Sequence, residues 1–254
     1  MLTQLKITVD PPPELNLGSY LAPMLQGVIM ERIDPEYAEA LHISALHPYS
    51  QYTEGKNGKL IWTVNTLNKE SRSELINILN DREFDSIYLK NKDMTLNITD
   101  KIIKEISYDE LLRTGYFDGG GEKYAQIEFV TPTSFKKDRQ YIIFPTSSFI
   151  MNSLAKKYDS CCSASTVADE LLYEYIKENT AVVEYYLRSV KFSMEGISIP
   201  SFLGTVKLKF GGNREFRCLM NMLLKFGEFS GVGIKSAMGM GAMRIKKGGK
   251  KLDR

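Results

Sequence analysis

Residues 226–241 read Phe226-Gly227-Glu228-Phe229-Ser230-Gly231-Val232-Gly233-Ile234-Lys235-Ser236-Ala237-Met238-Gly239-Met240-Gly241, and five of the sixteen are glycine. Before them, residues 214–226 place Phe216, Leu219, Met220, Leu223 and Leu224 at helical spacing. Gly227 stands where a helix C-cap glycine belongs. After them, Ala242-Met243-Arg244-Ile245-Lys246 reads as a strand. The expectation is a long glycine loop between a helix and a strand, with backbone N–H groups left open to a ligand. A phosphate-rich ligand is the natural one. Neither familiar phosphate loop fits. A P-loop carries glycine directly before its Lys-Ser, and here Ile234 precedes Lys235-Ser236. A dinucleotide loop runs strand, glycines, helix, whereas here the order is helix, loop, strand. On composition alone, a glycine hinge packed against a sheet competes with the ligand reading.

Working outward, the same pattern of elements occurs twice. In the first half, Leu5, Ile7 and Val9 alternate on one strand face. A helix over 17–32, capped by Asn16 or Ser19, buries Leu21, Leu25, Val28 and Ile29. Asp34-Pro35 opens a short helical turn through Glu39. A hairpin then joins 49–53 to 59–67 through the turn 54–58. A helix over 69–79 buries Leu75, Ile76 and Leu79, a strand covers 85–90, and an extra strand or ribbon follows over 94–106. In the second half, strands over 123–131 and 141–144 precede helices over 147–157 and 166–178. Strands over 182–194 and 201–210, the helix, the glycine loop and the last strand complete it. Each half reduces to β-α-β-β-α-β, the split βαβ arrangement. The fold class expected is α+β with two tandem ferredoxin-like (βαββαβ) domains of the RAMP/RRM-like kind. The turn-rich break Tyr116–Glu122 divides them into an N-terminal domain over 1–118 and a C-terminal domain over 119–254.

The bulk properties suit a soluble chain that forms real cores: 254 residues, 43% hydrophobic and 25% charged. A formal net charge of +2 excludes blanket basicity, so any nucleic-acid surface is a local patch. No apolar run reaches membrane-spanning length, and the first residues lack a signal peptide's pattern, so a cytoplasmic protein with no membrane contact is expected. Cys161 and Cys162 are adjacent and Cys218 is distant, a spacing that fits buried or idle thiols better than zinc.

The wording of the loop is more specific than its composition. Phe229-Ser230-Gly231-Val232-Gly233-Ile234-Lys235, then Ala237 and Gly239-Met240-Gly241, resembles the C-terminal glycine-rich loop of the CRISPR-associated endoribonucleases of the RAMP superfamily. Thr131-Pro132-Thr133-Ser134-Phe135-Lys136, followed by Phe144-Pro145, resembles the same family's strand end and proline-led helix. The resemblance implies an endoribonuclease that cuts CRISPR repeat RNA in a precursor transcript into guide RNAs. The alternative it leaves open is a non-catalytic RAMP-type subunit that binds guide RNA in an effector complex. The repeat RNA is the expected partner, effector subunits are a further one, and the chain is expected to be a monomer or a homodimer.

Metal-free RNA cleavage needs a base for the 2′-OH, an acid for the leaving 5′-oxygen and a donor or cation for the charged phosphorane. The chain has two histidines, His42 and His47, bracketing a segment read as non-helical. The products would be a 2′,3′-cyclic phosphate and a 5′-OH. No cofactor and no metal is expected, since acidic clusters are lacking beside them. Read alone, each histidine is a structural side chain. The resemblance places the catalytic histidine before a Pro-aromatic-Ser segment, which makes His42, ahead of Pro48-Tyr49-Ser50, first choice as general acid, with His47 as partner or phosphate contact. It also implies an assisting tyrosine and lysine, for which Tyr37, Tyr49 or Tyr52 and Lys56 stand open. The expected RNA-binding residues are Arg188, Lys191, Lys207 and Lys209 on strands, Gly231, Gly233, Lys235, Ser236, Gly239 and Gly241 in the loop, and Arg244, Lys246 and Lys247 after it. On strands such charges are as often the solvent face of a sheet. Phe229 and Tyr186 are candidate base-stacking aromatics, and the lysine-rich tail is a weak RNA contact or idle.

Overall fold

The computed structural model describes residues 1–44, 46–162, 166–194 and 196–246. Period-two alternation puts Leu5, Ile7 and Val9 of β1 (Leu2–Asp10) on one face, with Leu60, Trp62 and Val64 of β3 (Lys59–Thr66) beside them. Strand β2 (Tyr49–Lys56) returns to β3 through Asn57-Gly58, both at positive φ as a two-residue primed turn requires. The helices α1 (Ala22–Met30) and α3 (69–79) cover this apolar face with Leu25, Ile29, Leu75, Ile76 and Leu79.

Between α1 and β2, α2 (Pro35–Ile43) is nucleated by its cap. The Asp34 carboxylate accepts from Glu36 N (2.9 Å) and Tyr37 N (3.1 Å), and Pro35 fills the first turn. The helix runs four residues past the expected Glu39, so His42 lies in its last turn and not in a non-helical segment. Strands β4 (Ser86–Leu89) and β5 (Met94–Ile106) complete a five-stranded antiparallel sheet of order β2-β3-β1-β5-β4. The expected roles of the last two strands are exchanged. The strand at 94–106, read as an extra, pairs along the whole of β1, from Leu2 opposite Ile106 to Asp10 opposite Asn97. The four-residue β4, with Tyr88 exposed, is short enough for the edge.

A helix over 108–117, α4, leads to the second sheet, of order β11-β6-β10-β9. Its strands are β6 (Tyr124–Thr133), β9 (Thr180–Met194), β10 (Ile197–Phe210) and β11 (Met243–Lys246). Both sheets place the first strand of their half between the third and the last, as a split βαβ sheet does. A small hairpin, β7 (Phe135–Lys137) with β8 (Gln140–Ile142), precedes α5 (Ser147–Cys161) and α6 (Glu170–Asn179). Ile127, Phe129, Val206 and Leu208 pack against Ile150 and Leu154 of α5 and Met220, Leu223 and Leu224 of α7 (Arg214–Ser230). Each such aliphatic side chain contributes about 1.5–3 kcal/mol on full burial.

Helix α7 passes Gly227 and ends at Gly231, which takes the C-cap at φ 62°. Gly227 is an interior residue because a Cβ there would stand 2.8 Å from the Met243 sulfur and 3.0 Å from Leu154. The helix touches both sheets: β1, β2 and β3 contact it from the side away from α1 and α3. There Ser50 Oγ donates to Phe229 O (2.5 Å), and the Lys104 ammonium sits over the Phe229 ring. Lys247 and the tail beyond it lie outside the described residues.

Candidate active site

The glycine loop is held by its own backbone. Val232 N donates to Gly241 O, Ile234 N to Ser134 O, Gly233 N to Ser153 Oγ, Met240 N to Lys235 O and Gly241 N to Pro132 O, all at 2.8–3.3 Å. These N–H groups are spent within the protein, which corrects the expectation of a loop open to phosphate. The glycines are there for close approach. At Gly233, φ is 75° and a Cβ would stand 2.3 Å from Ser134 O. Gly231, Gly239 and Gly241 are buried, as is Ser236, and Lys235 is the one exposed residue from Gly231 to Gly241. The loop is pinned to the first sheet by Gln51, whose amide donates to Ala22 O (2.6 Å) and Ala237 O (3.0 Å) and accepts from Trp62 Nε1 (2.7 Å). On its other side, Phe192, Met194 and Ile199 of the β9–β10 arm close over Met240, with Ile234 and Met238.

Against this loop the fold brings the segment that enters β2. A cleft of about 300 Å³ is lined by Leu46 and His47 from that segment, Lys136 and Tyr141 from the β7–β8 hairpin, Lys157 from α5, and Gly233 to Ser236. Among the described residues no carboxylate lines it. The His47 imidazole meets the Tyr49 ring edge-on at 5.7 Å, and its Nδ1 is occluded and unpartnered among the described residues. Nε2 is therefore the nitrogen left to exchange a proton with a bound molecule. Burial first, and then the charges of His42, Lys235 and Lys157, hold this imidazole below the usual histidine range. His42 is exposed on the last turn of α2, close enough for its charge to be felt by His47, but it does not line the cleft.

Lys157 was not legible as a site residue. It is 6% exposed, and its ammonium donates to Ser230 O (3.2 Å), Gly231 O (3.2 Å) and Ser236 Oγ (3.0 Å). Those carbonyls end α7, where helix acceptors lack partners and cations are favoured. Burial pulls the ammonium down to about 7, with no carboxylate beside it to hold the proton.

Other expected residues fall elsewhere. Tyr49 is fully buried, its hydroxyl accepts from Gln26 Nε2 (2.5 Å), and burial raises its pKa, so it presents nothing to a substrate. The Tyr37 hydroxyl is occluded, and Tyr52 is 5% exposed with its hydroxyl on Arg244. The phenol at the cleft is that of Tyr141. Lys56 lies at the far end of β2, seven residues or about 23 Å of strand from Tyr49. Phe229 is 5% exposed and offers no stacking face. Lys207 pairs with Glu184 (3.5 Å), Lys246 with Glu128 (3.3 Å), and Arg244 with Glu54. Arg188, Lys191 and Lys209 are exposed, with no ion pair among the described residues, and Tyr186 is exposed on the edge strand β9. The sequence signal for the missed residues was thin: Lys136 sits in the Thr131–Lys136 motif, while Lys157 reads as one more surface lysine of a helix.

A family model described as CRISPR-associated endoribonuclease Cas6 matches residues 127–243. The CRISPR-associated endoribonuclease Cas6 of Mycobacterium tuberculosis is 31% identical over 243 residues, covering 95% of this chain and 77% of that protein. The Streptococcus thermophilus protein of the same name is 29% identical over 235 residues, 89% of this chain and 91% of its own. Among solved structures, a Thermus thermophilus Cas6 product complex superposes with a TM-score of 0.81 at 21% identity, covering 97% of this chain and 100% of that one. A Cas6 substrate mimic complex gives 0.75 at 17% identity, covering 96% and 99%. The match in fold runs through both sheets, and the match in sequence spans nearly the whole chain. This chain belongs to the Cas6 family of CRISPR-associated endoribonucleases.

Proposed function

We propose that this endoribonuclease cleaves CRISPR repeat RNA by 2′-OH attack within the His47–Lys235 cleft, without a metal ion, leaving a 2′,3′-cyclic phosphate and a 5′-OH. The observation that carries the reading is one cleft that unites an imidazole with Lys136 and Lys235 and, among the described residues, no carboxylate. The family name supplies the substrate class. Solved relatives are complexes with a product and with a substrate mimic, which fits an RNA held on this fold.

His47, kept neutral by burial and neighbouring cations, takes the 2′-OH proton through Nε2. His42, exposed outside the cleft lining but within electrostatic reach of His47, protonates the leaving 5′-oxygen of an RNA that lies across both histidines. Lys136 and Lys235 stabilise the charge that grows on the phosphorane oxygens. The residues thus divide between an N-terminal half over 1–118, which brings the histidines, and a C-terminal half over 119–254, which brings the lysines. As the roles are supplied by side chains, cleavage should persist in excess EDTA. Incubation of the protein with labelled repeat RNA in EDTA, followed by end-group analysis, tests this. A cyclic phosphate is expected, and a repeat with a 2′-deoxy sugar at the cut should bind and stay whole. Activity that returns only with added magnesium or manganese, or a 3′-OH product, overturns the mechanism.

A further inference from the structure

The cleft continues past the histidine. Beyond Lys157 it opens into a chamber of about 610 Å³ that shares Leu46, Lys136, Lys157, Gly233 and Ile234 with it. That volume lies within the roughly 300–1,000 Å³ of small-ligand sites. The new wall is built by the β7 strand and the first two turns of α5. Phe149 lines it, its ring nearly parallel to buried Phe135 (24°, centroids 5.5 Å apart). Lys137 and Lys156 add cations and Ser148 a hydroxyl, and again no carboxylate is present among the described residues.

This is neither a bare anion site nor an apolar groove. Phosphate alone gives no reason for a phenyl ring with Leu46 and Ile234. An apolar peptide gives no reason for Lys136, Lys137 and Lys156 around the rim. A nucleotide accounts for both, since its base has a π-face and its phosphate a charge. Only an unpaired nucleotide qualifies, because a base inside a duplex is stacked on both faces and presents neither. The cleavage chemistry gives the same answer. Stacked A-form backbone keeps the 2′-oxygen out of line with the leaving 5′-oxygen. Drawing one neighbouring nucleotide aside lets the scissile phosphate rotate toward in-line geometry, an alignment the reaction requires.

We infer that the Phe149 chamber binds one unpaired nucleotide of the repeat next to the scissile phosphate, with the base stacked on Phe149 and its phosphate met by Lys136 and Lys156. The inference rests on the repeat-RNA reading above and adds a subsite that sets the register of the cut.

The test is a cycle between protein and RNA. Repeat RNAs carrying a single abasic residue at successive positions around the cut, with a 2′-deoxy sugar at the cut itself, are titrated against wild type and Phe149→Leu. Leucine keeps apolar volume and removes the flat face. At one flanking position the abasic residue should weaken wild-type binding about 10-fold, as loss of one stacked base does. The same residue should cost Phe149→Leu less than about 2-fold, because the stacking is already gone. Ser148→Tyr, which fills the chamber from a half-exposed position, should reproduce this insensitivity and covers the case in which Phe149→Leu misfolds. Independent, additive losses at every position in the folded variants overturn the subsite while leaving repeat cleavage intact. If wild type neither binds nor cuts intact repeat RNA, the reading beneath it has failed and the subsite falls with it.

Discussion

On the outer face of the second sheet, Lys207 lies 3.5 Å from Glu184, Lys246 lies 3.3 Å from Glu128, and Arg244 is tied to Glu54 and Tyr52. In the cleft and its chamber, Lys136, Lys137, Lys156, Lys157 and Lys235 share walls without one carboxylate among the described residues. The three paired cations of the sheet and the five lysines of the cleft offer a polyanion different things. An exposed ion pair contributes little to stability, about 0–1 kcal/mol. It nevertheless cancels its own outward field, and an arriving phosphate must compete with the glutamate. In the cleft the walls are uncompensated, so a chain of net charge only +2 concentrates positive potential where the imidazole stands.

The largest effect should come at the imidazole. His47→Ala should slow single-turnover cleavage at least ~10²-fold while repeat RNA binds almost as before, since a positioned base acts on the chemical step. His42→Ala should slow it too. If His42→Ala gives the larger loss with intact binding, the two histidines exchange roles. If both weaken binding and leave the rate unchanged, the cleft is not where the bond breaks.

Next comes the contrast itself. Lys136→Ala with Lys235→Ala should reduce affinity by about 10-fold or more and flatten the salt dependence by about 0.7 per lost phosphate contact. Lys207→Ala with Lys246→Ala should change affinity by less than about 2-fold, because those cations already have partners. Equal losses from the two pairs, measured by titration across a salt series, would break the comparison.

Lys157 sharpens it from inside the cleft, since its ammonium serves protein carbonyls. Its folded pKa of about 7 lies below the unfolded value of 10.5. Between those values the unfolded chain binds more protons, so this group makes stability rise as pH climbs from about 7 toward 10.5. Lys157→Met should remove that rise in melting temperature across pH 7–10 relative to wild type. At pH 7 the carbonyls it leaves bare cost about 1–3 kcal/mol, offset by no longer burying a charge, and each net kcal/mol shifts the melting temperature by roughly 2–4 °C. Parallel pH–melting curves would mean the buried lysine titrates normally.

The smallest effect is a shift of the acidic limb of the rate–pH profile. His47 is neutral above a pKa that burial, His42, Lys235 and Lys157 have lowered. Cleavage should therefore rise with pH through a midpoint below the usual histidine value. In Lys235→Met the midpoint should move upward, since a nearby cation no longer opposes protonation. A midpoint unmoved by that change would detach Lys235 from the imidazole.

What the sequence disclosed follows from what leaves a local trace. Alternation marked β1, the turn at 54–58 marked the β2–β3 hairpin, the Asp34-Pro35 cap marked the start of α2, and the wording of the glycine loop pointed to the family. The exchange of β4 and β5 left no trace, because edge and centre are settled by pairing along β1. Gly227 misled for a related reason: the contact that demands a glycine there comes from Met243 and Leu154, both distant in sequence. In the site, His47 was found through its rarity. Tyr49 and Lys56 are near His47 in sequence, whereas strand geometry buries one and carries the other away. Lys157 and Tyr141 leave no sequence signal, because nothing local shows that a helical lysine caps another helix's carbonyls, or that a hairpin tyrosine lines the same cleft as an imidazole.

The sharing of α7 between the sheets also fixes an order of events during synthesis. Ser50, whose hydroxyl grips the end of that helix, precedes Phe229 by 179 residues. At about 5–20 residues per second, a ribosome needs roughly 10–40 s to traverse that interval. Throughout it His47 is on a nascent chain without the loop, Lys235 or the helix end that make its surroundings, although Lys136 and Lys157 are made on the way. The first sheet can form early, but its face toward α7 stays uncovered and the cleft beside its histidine stays incomplete. The cleft is therefore completed only when the later-made helix end and loop dock on the first sheet.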